Sequence, residues 1–251
     1  MLAMLALLAP TLVGGASLGP SPAQPPRPAY QAVMMRAAPG HLLDLIEALK
    51  GRMIVSGYAG EARPILLRHS QGDQWDLLLL VPIGSMAEFF GNDRAKRWRD
   101  AARRIGHDDE AFRKRADQWI AWREELYVEG PPVAELQAAA AASGYFHLEI
   151  FQALAGKRDS LLQERAMEND FLQRIGRPTN FLFTRITGPA WDAFTLGFYR
   201  DLPHYAEPAR VSADEEDRAA RAAGFESRQH IGAYLRQFLQ GHHDTLGSIV
   251  K

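Results

Sequence analysis

Two periodicities alternate along the chain from residue 30 onward. Residues 30–37 and 145–153 read as strands, and helical spacing follows over 41–56 and 157–175. In the second of these helices Leu161, Leu162, Ala166, Leu172 and Ile175 recur at roughly the helical interval. Each is followed by two strand candidates, 63–70 with 74–82 and 180–187 with 192–200. The short turns "QGD" and "TGPA" join them as hairpins. Ser85 and Asp201 stand where helix N-caps are expected. A long helical stretch then closes each half and runs into a short strand, "EELYV" in the first and "DTLGSIV" in the second.

The punctuation repeats as well. Trp75-Asp76 recurs as Trp191-Asp192, 116 positions later. At the same offset Gly40, Gly60 and Gly72 match Gly156, Gly176 and Gly188, and Ala37, Leu45, Leu66 and Leu80 match Ala153, Leu161, Leu182 and Leu196. Glycines mark turns with unusual backbone angles, so the same elements start and stop at the same intervals in both halves. Strand, helix, hairpin, helix, strand is the split β-α-β unit of ferredoxin-like folds. Its helices cover one face of the sheet, and two fused copies can bury their bare faces together. The predicted class is therefore α+β, with repeats at 30–129 and 145–251 and a linker at 130–144. Together they form one pseudo-dimeric barrel.

Composition narrows the function classes. The 251 residues are 47% hydrophobic and 24% charged, with a net charge of −1. That balance makes no case for a nucleic-acid or membrane-surface partner. The absence of cysteine excludes disulfides, thiolate metal sites and a cysteine nucleophile. The opening "MLAMLALLAPTLVGG" is a short apolar core. Ser21-Pro22-Ala23 after it suits cleavage before Gln24. Residues 1–23 then read as an export signal, which implies a periplasmic or secreted protein with no membrane attachment after processing. No positive charge precedes the apolar core, so an N-terminal extension is the other reading.

In "GYFHLEIFQALAG", His147 and Glu149 share one face of a strand and Leu148 and Ile150 take the other. If the helices cover Leu148 and Ile150, then His147, Glu149 and Phe151 point into the lumen between the sheets. Ala193, Thr195, Gly197 and Tyr199 would join them, as would Phe181, Phe183 and Arg185, and His243 with Thr245 and Gly247. On that reading His147 with Glu149 is the candidate base, and Arg185 and Tyr199 stabilise developing negative charge on an oxygen. Phe151, Phe183, Thr195 and His243 complete the walls around a small, largely apolar or aromatic ligand. The corresponding positions of the first half are Gln31, Val33, Met35, Leu77, Leu79 and Val81, which suit a wall and lid. The bland alternative is that His147, Glu149 and Arg185 merely satisfy one another. His242-His243-Asp244 makes no metal site by adjacency, since neighbours on a strand point to opposite faces. No metal or cofactor is expected, and a homodimer is left open.

The order of elements resembles the dimeric α+β barrel superfamily. Within it, "FHLEIFQALAG" followed by an amphipathic helix is similar to the opening strand of NIPSNAP-type domains. Phe151 and Gly156 match that family's aromatic and glycine. Ala155 replaces its proline, while Glu149 and His147 stand where Arg and Glu are usual. The first half keeps Pro39-Gly40 but carries Met35, Val33 and Gln31 in the strand. The resemblance implies cofactor-independent oxygenase or isomerase chemistry on enolisable or phenolic compounds. It also admits a haem-binding variant with His147 or His243 as axial ligand. A non-catalytic scaffold that binds partners through its long helical inserts is the competing reading.

Overall fold

One order of elements is written twice in the structure, a computed structural model that describes residues 27–251 except position 72. The expected export segment lies outside the described residues. The first half runs β1 (Ala29–Ala37), α1 (Leu42–Tyr58), β2 (Ile65–Gln71), β3 (Leu77–Gly84), α2 (Met86–Phe89), α3 (Asn92–Arg104), α4 (Asp109–Trp119) and β4 (Ile120–Glu129). Helix α5 (Val133–Ala142) connects it to the second half. There follow β5 (Tyr145–Ala153), α6 (Arg158–Arg174), β6 (Phe181–Thr187), β7 (Ala193–Tyr199), α7 (Leu202–Ala206), α8 (Ala213–Ala222), α9 (Ile231–Leu235) and β8 (Leu239–Val250).

The strands close into one barrel in the order β1-β3-β2-β8-β5-β7-β6-β4, with every neighbouring pair antiparallel. Within each half the order is that of a ferredoxin-like sheet. The joints are β2 to β8 and β4 to β6, so neither half keeps an unpaired edge. The chain is thus two fused ferredoxin-like repeats forming a single pseudo-dimeric α+β barrel.

Local chemistry explains why the halves match. The Asp76 amide donates to the Met35 carbonyl and its carboxylate accepts from the Ala37 amide at 2.7 Å. Asp192 makes the same pair of bonds with Phe151 and Ala153, the second at 2.9 Å. Gly40 and Gly156, at φ +84° and +72°, turn each first strand into its helix. A Cβ at either would meet nothing within 4 Å, so the left-handed backbone angle is what calls for glycine there. Ser85 and Asp201 cap α2 and α7, as their positions predict: each side chain accepts from the backbone amide three residues on.

The lumen corrects one expectation. Phe146, Leu148 and Ile150 of β5 point inward, joined by Phe194, Leu196 and Phe198 of β7 and by Tyr30, Met34, Leu67 and Leu78 of the first half. All are buried, and together they fill the barrel. His147, Glu149 and Phe151 face outward toward α6, and Thr195 and Tyr199 share that face through their pairing with Glu149 and Tyr145. The first half is reversed in the same sense: Val33, Met35 and Leu77 pack against α1 and α4. Both faces of each sheet are buried, so an alternating strand does not reveal which face is the interior. The lumen takes the apolar set of β5 and β7, while Thr245 opposite Leu148, His243 opposite Ile150 and Glu124 opposite Met34 bring polar groups to its β8 and β4 walls.

Candidate functional site

The outward face of β5, β7 and β8 carries a polar cluster beneath α6 and α7. Pairing places Glu149 opposite Thr195 on β7 and opposite Asp244 on β8. Phe151 likewise lies opposite His242. The Thr195 hydroxyl donates to Glu149 Oε2 at 3.1 Å, and His242 Nε2 lies 3.4 Å from Glu149 Oε1. His147 Nε2 is 2.6 Å from Asp244 Oδ1. A carboxylate only accepts, so that nitrogen carries a proton, and in the neutral ring Nδ1 holds the lone pair. Tyr205 of α7 packs 5.2 Å from the His147 ring and 5.1 Å from Tyr199.

Helix α6 lowers a charged roof onto this face. Arg165 is 2% exposed and binds Glu164 through two bonds of 2.6 and 2.8 Å. Its Nη1 reaches Glu168 and lies 3.5 Å from Glu149 Oε2. The guanidinium also sits 4.8 Å over the Phe151 ring, whose own plane is stacked on His242 at 5.1 Å. Asn169 bonds the amide and carbonyl of Asn180 at 2.8 Å, fastening α6 to the start of β6. At Gly197 a Cβ would come within 2.5 Å of Asn180 Oδ1 and 3.0 Å of the Tyr199 hydroxyl. Only glycine leaves room for that phenol beside His147.

These surroundings split the acidities of the two central carboxyls. Burial resists ionisation of Glu149, but His242, Arg165 and His147 outweigh it and hold the group down at about 2. Burial dominates at Glu168; with Glu149 and Glu164 nearby, it overrides Arg165 and lifts the group to about 7. For His147 burial opposes the charge, yet the bond to Asp244 and the field of Glu149 prevail, so its pKa is raised. Burial raises both phenols, Tyr199 and Tyr205. Neighbouring groups with acidities pushed apart are the raw material of acid/base chemistry.

Five of the expected site residues therefore converge: His147, Glu149, Phe151, Thr195 and Tyr199. They do so outside the barrel rather than within it. Three do not join them. Arg185 bonds Asp192 Oδ1 at 2.8 Å and the Pro189 carbonyl, stapling the β6–β7 hairpin. Phe183 is in the lumen, stacked on Phe194 at 4.5 Å. His243 turns to the first half and meets Asp73 at 3.1 Å. Sequence reasoning passed over Arg165, Glu164, Glu168 and Tyr205, and it met His242 and Asp244 only in a tripeptide set aside as a metal site. The signal in that tripeptide was the spacing of His242 and Asp244, which are two apart and so share a strand face.

Glu149, His242 and Asp244 present donor atoms within 4.8 Å of one another, which is the spacing of a small cation site. Glu149 already meets Arg165 at 3.5 Å and Asp244 meets His147 at 2.6 Å, so both carboxylates have protein partners as they stand. A haem does not fit either expected ligand. His147 is committed to Asp244 beneath the ionic roof of α6, and His243 is committed to Asp73; neither faces the apolar slot a porphyrin needs.

No protein-family model and no curated protein matches the chain. Solved structures do. An anthrone oxidase-like protein aligns over 91% of this chain and 93% of its own at 12% identity, with a TM-score of 0.58. A candidate monooxygenase from Lactobacillus acidophilus aligns over 89% and 93% at 10% identity, with a TM-score of 0.47. A chlorite dismutase variant from Candidatus Nitrospira defluvii aligns over 90% and 92% at 12% identity, also with 0.47. Likeness of this degree speaks for architecture alone, and the first of the three carries it: the chain has the dimeric α+β barrel fold, closed within a single polypeptide.

Proposed function

We propose that the protein is a small-molecule-binding α+β barrel whose second half carries an acid/base site on the outer face of its sheet. One observation carries the reading: His147 is oriented by Asp244 at 2.6 Å beside a Glu149–Arg165–Glu168 cluster. A carboxylate fixes the imidazole tautomer and raises its basicity, which leaves Nδ1 to accept a proton from a bound ligand. Tyr205 packs on the ring and Tyr199 packs on Tyr205, and their phenols can donate to a developing oxyanion. The ligand class is a small, largely apolar compound with an enolisable or phenolic proton. The anthrone oxidase-like neighbour suggests a fused-ring phenol as the first trial substrate.

The NIPSNAP-type likeness belongs to the same reading. Phe151, the matched aromatic, lies under Arg165, and the matched Gly156 makes the left-handed turn into α6. Export is also part of the proposal, with cleavage before Gln24, and sequencing the N-terminus of secreted material tests it. The second reading is a scaffold in which the cluster only satisfies itself. It is favoured by the filled lumen and by the pairing of each charged group just described. His147→Ala separates the two. A folded variant that has lost ligand binding or turnover supports the site. Unchanged binding with a lower melting temperature supports the scaffold.

A further inference from the structure

The pseudo-symmetry makes a second comparison available. Helices α1 and α6, like strands β2 and β6, begin and end 116 positions apart, so residues at that offset are counterparts. Asn169 and Asn180, which fasten α6 to the start of β6, correspond to Met53 and Pro64. Methionine has no donor to offer and proline has no amide N–H, so the first half cannot make that clasp. A groove of about 510 Å³ lies along the open seam, between α1, the β2–β8 joint and the linker helix α5. The Gln137 side-chain amide donates to the Arg63 carbonyl at 2.9 Å and holds α5 in place as one wall.

We propose that this groove binds an unbranched alkyl chain ending in one anionic group, a free medium-chain carboxylate. Its lining is mainly aliphatic: Met53 of α1, Leu66 of β2, Ala140 and Ala141 of α5, and Ile249 and Val250 of β8. No aromatic side chain is among the lining residues, so a flat ring finds nothing to stack on. A thioether and aliphatic side chains adapt to a flexible chain instead. Ile249 and Val250 are only half-buried, and an alkyl chain laid over them takes apolar surface out of water. The rim sets the charge of the head group. Arg63 and Lys251 are the charged residues of the lining, and no acidic side chain is among them. The exposed Arg63 guanidinium has no ion pair among the described residues, and the Lys251 ammonium commits one donor to the Ala141 carbonyl at 3.3 Å. Both cations stand at the water-facing edge, where a carboxylate head stays hydrated while its chain is covered. The volume lies within the range of about 300–1,000 Å³ typical of small-molecule sites.

This site does not depend on the acid/base reading of the second half, and the test keeps them apart. Calorimetric titration of the full chain with decanoate should show saturable binding. Octanoate, two methylenes shorter, should bind about tenfold more weakly. The uncharged 1-octanol should bind about threefold to fivefold more weakly than octanoate, the scale of one exposed ion pair. Ala141→Trp, at an exposed position on the groove wall, should abolish decanoate binding, and His147→Ala should leave it unchanged. Should Ala141→Trp fail to fold, Arg63→Gln decides: octanoate should weaken about threefold to fivefold while 1-octanol holds its affinity. Four results would overturn the proposal. They are no saturable decanoate binding at millimolar concentration, equal affinity for octanoate and 1-octanol, and loss of binding on His147→Ala with retention in the groove variants. The fourth is co-sedimentation with phosphatidylglycerol vesicles that Ala141→Trp abolishes, which would assign the groove to a membrane surface rather than a free acid.

Discussion

Glu149 and Asp244 stand directly opposite each other across the β5–β8 ladder, two carboxylates on one face of paired strands. Like charges so placed repel. Each is relieved diagonally, Asp244 by His147 at 2.6 Å and Glu149 by His242 at 3.4 Å. His147→Ala should therefore lose about 1–2 kcal/mol, and Asp244→Asn alone should lose less. The double variant should recover part of the His147→Ala loss. Urea unfolding of the four proteins gives the coupling, and a strictly additive cycle would contradict the pairing.

Arg165 is the cation on which three carboxylates converge. At 2% exposure it is flanked by Glu164, Glu168 and Glu149. Arg165→Met should cost about 3–5 kcal/mol, because it strands buried negative charge. Adding Glu168→Gln should restore some of that loss. Denaturant midpoints check both, and a tolerated Arg165→Met would show that water already reaches the cluster.

The shifted acidities define a pH profile. Glu168 holds its proton in the fold up to about 7, against an ordinary 4.5, so stability falls as pH rises between those values. His147, raised from 6.5, acts in the same direction: its contribution is full below 6.5 and disappears as pH climbs through the folded value. Glu149 acts in the opposite sense, contributing above 4.5 and losing that contribution as pH drops toward about 2. Melting temperature should peak near the mildly acidic side. Glu168→Gln should flatten the decline between about 4.5 and 7. A melting curve in which wild type and Glu168→Gln run parallel with pH would remove Glu168 from the account.

The lumen and the outer cluster are separable. Leu148→Ala opens a hole in a filled apolar interior and should cost about 2–5 kcal/mol. Ligand affinity at the outer site should change far less than stability does, since Leu148 and the cluster lie on opposite faces of β5. A folded Leu148→Ala protein that has lost ligand binding would place the ligand back inside the barrel.

Much of the architecture was legible in the chain itself. Gly40 and Gly156, Trp75-Asp76 and Trp191-Asp192 carry the repeat, because turns and backbone caps are local and leave local marks. The alternation in "FHLEIF" likewise assigned His147 and Glu149 to one face and Leu148 and Ile150 to the other. Which of those faces became the interior was decided only when β2 met β8 and β4 met β6. In a fused barrel both faces are covered, so periodicity alone cannot rank them. Closure turned Leu148 and Ile150 to the lumen, and it left the ionic set of His147 and Glu149 under α6. His242 and Asp244 joined the cluster for the same tertiary reason. Their distance from Glu149 is a fact of strand pairing across about a hundred residues, and no local pattern encodes it.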